Sequence, residues 1–126
     1  MIATVASSSP IAGSLALAMT RDKSASWGIE VFEADGVTPQ NLTGATLYFH
    51  AKVGGILITK SSPSSGITIT SVTGGAASLV LSPSDTAGLS GSGVYSGACE
   101  LTMVTGSYTY ELSSGTLEVS PNVGTP

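Results

Sequence analysis

The sequence predicts an all-β fold, an antiparallel sandwich, and three observations lead there. Apolar residues recur with period two along most of the 126 residues, and no stretch holds a convincing helical period. Turn signals rich in Gly, Ser and Pro ("ADG", "VGG", "SSPSSG", "TGG", "SGSG", "TGS") interrupt the alternation roughly every 8–12 residues, the spacing of short antiparallel strands. A chain of this length fits one domain that buries roughly two-thirds of its unfolded surface.

Taken in order, Leu15, Leu17 and Met19 alternate with small residues. Trp27, Ile29 and Val31 then form an inward row against Gly28, Glu30 and Phe32. The turn-rich connector "EADGVTPQNLTG" follows, with Asn41 closing a turn and Leu42 as an apolar plug at the start of the next strand. Leu47, Phe49 and Ala51 alternate with Tyr48, His50 and Lys52. Short strands are expected in "GILITK", "GITITSV" and "AASLVLS", a longer one in "GVYSGACELTMV", and the last in "SYTYELSSGTLEVS". Only "SPSDTAGL" breaks the pattern. Ser82 can cap, Pro83 suits a first helical position and Asp85 favours the positive end of the dipole, so one short helical turn is expected near residues 83–88.

Tyr95 opens a strand after a Gly-rich corner, where a tyrosine can hydrogen-bond back across the corner as in immunoglobulin-like sandwiches. Cys99 shares a face with Gly97, Leu101 and Met103 and reads as a small buried thiol. It is the only cysteine, so no intramolecular disulfide and no antibody-type cysteine pair is possible. The fold class is therefore a single antiparallel immunoglobulin-like β-sandwich.

Charged residues make up 10% of the chain, against about 25% in an ordinary soluble domain. With 21 Ser and 15 Thr, the surface is coated with hydroxyls rather than ions. The net charge of −4, with Arg21, Lys23, Lys52 and Lys60 scattered, argues against nucleic acid and against attachment to a membrane through basic residues. The apolar part of the N-terminus, "IAGSLALAM", lacks a basic n-region and is too short to span a bilayer, so neither a signal peptide nor a transmembrane segment is expected.

No reaction is announced. His50 is the only histidine, and no nucleophile-elbow pattern surrounds any serine. One His and one Cys cannot make a zinc site within one chain, and Asp22, Glu33 and Asp35 do not offer the alternating oxygen ligands of a calcium loop. No catalytic residue, metal or cofactor is expected. The triplet Asn41-Leu42-Thr43 matches a glycosylation acceptor, but turn closure is the better reading. Trp27 belongs to the inward row, whereas Tyr48, Tyr108 and Tyr110 are candidates for docking a partner or stacking on a sugar.

The stretch "MTRDKSASWGIEVFEADGVTPQNLTGATLYFHAKV", residues 19–53, resembles small β-sandwich domains of tailed-bacteriophage structural proteins, close to the N-terminal domain type of the phage baseplate upper protein. The shared pattern is a basic–acidic pair before a strand, then "DG.P.NLTGAT", then an alternating strand. "GITIT", "LSPSDTAGL", "GVYSGACEL" and "LSSGTLEVSP" follow in the same order, and the likeness covers residues 15–121. The resemblance implies a non-enzymatic virion protein with other virion proteins as partners, present in multiple copies or as a homo-oligomer. Such a protein is made in the host bacterial cytoplasm without a signal peptide. With the sequence ending at Pro126 and no receptor-binding tip following, a capsid decoration or head-fibre attachment protein is expected ahead of a tail or baseplate component. A carbohydrate-binding adhesin module is the further alternative, with a hydrolase well behind.

Residues 1–13 are expected to be an attachment arm before a domain spanning 14–121 and a tail at 122–126. The arm carries Ile2, Val5 and Ile11 but no charge, and Pro10 disfavours its joining a central ladder, so a neighbouring subunit is expected to order it. With Tyr48, His50, Tyr108 and Tyr110, these three residues make up the candidate partner interface.

Overall fold

The alternating segments form strands that pair into two sheets in a computed structural model, which describes residues 2–6, 11–12, 14–33, 37–89 and 93–121. The strands are β1 (Ile2–Ala6), β2 (Ile11–Ala12), β3 (Ser14–Thr20), β4 (Ala25–Phe32), β5 (Ala45–Val53), β6 (Ile56–Ser61), β7 (Ile67–Ser71), β8 (Ala76–Leu81), β9 (Tyr95–Thr105) and β10 (Tyr108–Ser120). One sheet has the order β2-β1-β4-β8-β7 and the other β3-β10-β9-β5-β6. The run β1-β4-β8-β7 against β10-β9-β5 is the strand order of an immunoglobulin-like sandwich.

Period two decides which side chains meet between the sheets. Trp27, Ile29 and Val31 of β4 lie beside Leu79 and Ala77 of β8, and all are buried. The opposing rows are Leu47, Phe49, Ala51 and Val53 of β5, Cys99, Leu101 and Met103 of β9, and Leu117 and Val119 of β10. Burying each large side chain contributes roughly 1.5–3 kcal/mol, the main term in a chain with so few charges. As expected, Cys99 is in the core, and burial pushes its thiol up to about 11.

Two expectations need correction. Residues 2–6 and 11–12 are not an arm awaiting a neighbour. β1 pairs with β4 from Ile2 opposite Phe32 to Ala6 opposite Gly28, and β2 pairs with β1, so this segment belongs to the domain's own sheet. Pro10 itself lies outside the described residues. The second correction concerns direction: β3 runs parallel to β10, Ser14 opposite Ser114 through Thr20 opposite Ser120. β1 and β2 belong to the first sheet and β3 to the second.

The connector between β4 and β5 is held at several points. Gln40 N–H donates to the Val31 carbonyl (2.9 Å), Leu42 N–H to the Val72 carbonyl (2.8 Å), and Val31 N–H to the Gly75 carbonyl (2.8 Å). Asn41 Oδ1 accepts from Thr43 N–H and Thr43 Oγ1, closing the expected turn, and Leu42 is buried as the plug. Gly75 has φ +66°, and a Cβ there would run into the Val31 carbonyl, so the β7–β8 turn can clasp this connector only as glycine.

The helical turn is a 3-10 turn over Pro83–Thr86. Asp85 Oδ2 accepts from Ser82 N–H (2.7 Å), and Asp85 Oδ1 accepts from Lys60 Nζ (2.9 Å), tying the turn to β6. Fully buried Thr86 accepts from the N–H of Asp22, which sits at φ 63° in the turn after β3. Burial pushes the Asp85 carboxyl up, but the bonds from Lys60 and Ser82 outweigh it and hold the group below its ordinary value.

Two predictions follow from these contacts. A Cβ at Gly97 would collide with the Lys52 carbonyl where β9 passes β5, so Gly97→Ala should lower unfolding stability by about 3 kcal/mol or more in denaturant titration. Gly93→Ala, with open space around it, should stay within about 0.5 kcal/mol. Because the folded Asp85 pKa lies below the unfolded one, its contribution is fully present above the ordinary value of 3.8 and is lost as pH falls through the folded value. Asp85→Asn should therefore flatten the loss of stability below about pH 4, at a cost of about 1 kcal/mol at neutral pH, because the ion pair is partly exposed.

Candidate functional site

The sequence-derived interface residues fall in three separate places. Ile2 and Val5 are in β1 and Ile11 is in β2, at one edge of the first sheet. Tyr48 and His50 lie on the outer face of β5, rings stacked with centroids 6.2 Å apart and planes at 12°. Tyr108 and Tyr110 start β10, stacked on each other at 6.3 Å and 23°. Tyr48 is in register with Thr102 and Tyr110 with Met103. Adjacent residues on β9 point to opposite faces, so the three tyrosines do not form one stacking platform.

A concave feature of the outer face is a hollow of about 450 Å³ lined by His50 and Lys52 of β5, Leu57 of β6, Ala98 and Glu100 of β9, and Ser114 of β10. It exists because small residues, Ala98 and Ser114, stand between longer ones. Cross-strand register assembles it: His50 opposite Glu100, Lys52 opposite Ala98 and Leu57, Ser114 opposite Glu100. The hollow is mixed in character, with a carboxylate, an ammonium group, an imidazole and a hydroxyl around an apolar side. Lys52 and Glu100 form no ion pair with each other.

His50, Glu100 and Ser114 are the residue types of a hydrolytic relay, and they meet here. No hydrogen bond links them. His50 Nδ1 is enclosed without a partner among the described residues, whereas a relay needs that nitrogen oriented by the acid.

Among the described residues no cluster of three or more His, Cys, Asp or Glu could hold a metal ion. No helix there is long and apolar enough to cross a membrane. Sequence reasoning picked out Tyr48 and His50 but not Lys52, Leu57, Glu100 or Ser114 as their companions. The missing information was the pairing of β5 with β9, strands about fifty positions apart in the chain. No known protein-family model and no curated protein matches this chain.

Proposed function

We propose that this chain is a non-enzymatic structural protein of a bacteriophage virion, a capsid decoration or head-fibre attachment component that binds the capsid surface. The observation that carries the reading is where the motifs of the phage resemblance lie in the fold. "DGVTPQNLTGAT" spans the clasped β4–β5 connector, "LSPSDTAGL" the 3-10 crossing, "GVYSGACEL" the start of β9, and "LSSGTLEVSP" the part of β10 that pairs with β3. Each is a joint of one sandwich, so their shared order is what a common domain type would conserve. Fold alone does not assign function, and the virion role rests on that series of motifs.

The surface chemistry suits such a role. With few ions exposed, contacts to a partner are made by hydroxyls, backbone groups and apolar side chains, which salt screens little. The mechanism is mechanical, through added contact area between subunits.

Mass spectrometry of purified particles tests this directly. Hundreds of copies per particle are expected for a decoration protein, whereas about a dozen would assign it to a tail or baseplate ring, as cyclic symmetry requires. Attachment should survive a wash at about 1 M salt, where the screening length falls to roughly 3 Å. Absence from the particle would overturn the proposal.

A further inference from the structure

We propose that the free edge of β6 is a strand-addition site for a second copy of this chain, the two joined antiparallel about a twofold axis at Ile58. The inference rests on the geometry of this edge alone and does not depend on the virion reading.

Hydrogen bonds at the end of β6 fix which backbone groups point outward. Ser62 N–H donates to the Leu47 carbonyl and Ser62 Oγ accepts from Leu47 N–H, both at 2.9 Å, so Ser62 faces β5. Ser61 faces the other way and exchanges bonds with Ser65. The β5–β6 register runs unbroken from Tyr48 opposite Ser61 to Val53 opposite Ile56. Alternation along an antiparallel pair then turns the N–H and C=O of Thr59 and Leu57 away from β5. Among the described residues no hydrogen bond uses them.

The other edges of the sandwich are closed or poor. β2 has only two residues. β7 is covered at its start by the Ser61–Gly66 bridge and broken at its end by a register shift between Ile69 and Ser71. β3 carries Ala16, Ala18 and Thr20 on its outer side, with no large apolar side chain there to add contact. By contrast, the β6 edge has no proline, no bulge and no free charge, the usual guards against pairing. Its one lysine, Lys60, is engaged by Asp85 of the same chain.

A twofold axis at Ile58 sets Leu57 opposite Thr59 of the second copy, and Thr59 opposite its Leu57. Each pair exchanges two backbone hydrogen bonds, satisfying all the outward groups at both positions. The two Leu57 side chains, 68% exposed in the single chain, then meet diagonally at roughly 7–8 Å. Lys60 falls opposite Ile56, so like charges do not meet. Such a contact lies below the roughly 1,200 Å² of a stable interface and is weak alone, but it counts when copies are held side by side.

Sedimentation velocity from about 10 µM to about 1 mM should show a reversible monomer–dimer equilibrium. Over the same range, exchange of the Leu57 and Thr59 amides should slow at least about threefold as dimer forms. Thr59→Lys, an exposed substitution, should leave melting unchanged and abolish the dimer, whereas Thr68→Lys on β7 should retain it. Mixing a Leu57→Cys chain with a Thr59→Cys chain under mild oxidation should give the mixed disulfide in preference to either homodimer. A monomer throughout the range, a dimer indifferent to Thr59→Lys, or equal yields of all three disulfides would overturn the proposal.

Discussion

The contact of one row of side chains with another holds this molecule together. Trp27, Ile29 and Leu79 face Phe49, Leu101 and Leu117 across the gap between the sheets, and nearly everything else is arranged so that these rows can meet. Between Ser61 and Ser84 there is not one charged residue, so the β7–β8 hairpin and its flanks are held by packing, backbone bonds and serine hydroxyls such as Ser62 and Ser71, without ion pairs. Where ions are used they act as joints. Lys60 and Asp85 pin the 3-10 turn beneath β6, and Thr86 of that turn reaches the bend after β3. Glycine serves the same end by absence: at Gly97 two strands come closer than any side chain permits.

Much of this was legible in the sequence because period two is a local signal. Trp27, Ile29, Val31, Leu47, Phe49, Cys99 and Leu101 all face inward as the alternation requires, and Leu42 plugs the connector as its place after a turn suggests. The 3-10 turn was marked by Ser82, Pro83 and Asp85 at neighbouring positions. What stayed hidden was whatever depends on partners distant in the chain. The small residues of β1 carry little strand signal of their own, and only β4 beside them makes a strand of residues 2–6. The direction of β3 is set by β10, a hundred residues later. The hollow beside His50 needs β5, β6, β9 and β10 in register at once, and the bulge between Glu111 and Ser113 shifts that register in a way no alternation announces.

Hydroxyl-rich outer faces and a charge-free hairpin give a surface that repels little. In most soluble sandwiches charge keeps neighbours apart and edges unpaired. Here the work is divided differently: β2 is short, β7 is bridged and bulged, and the Asp85 carboxylate occupies Lys60, the one lysine of β6. A chain built this way meets little electrostatic repulsion from like copies or from large neutral surfaces.

The parallel pairing of β3 with β10 has a mechanical side. Tension entering at Ser14 and leaving at Ser120 acts on opposite ends of that ladder, because the two strands run the same way. The rungs from Ser14–Ser114 to Thr20–Ser120, continued by Arg21 N–H on the Ser120 carbonyl, are then loaded sideways and together, not opened one after another from an end. A ladder pulled in shear yields only when its rungs fail as a group, whereas a hairpin pulled apart at its mouth opens bond by bond. Load applied between Ser14 and Ser120 along the strand axis is thus resisted by the whole β3–β10 ladder at once.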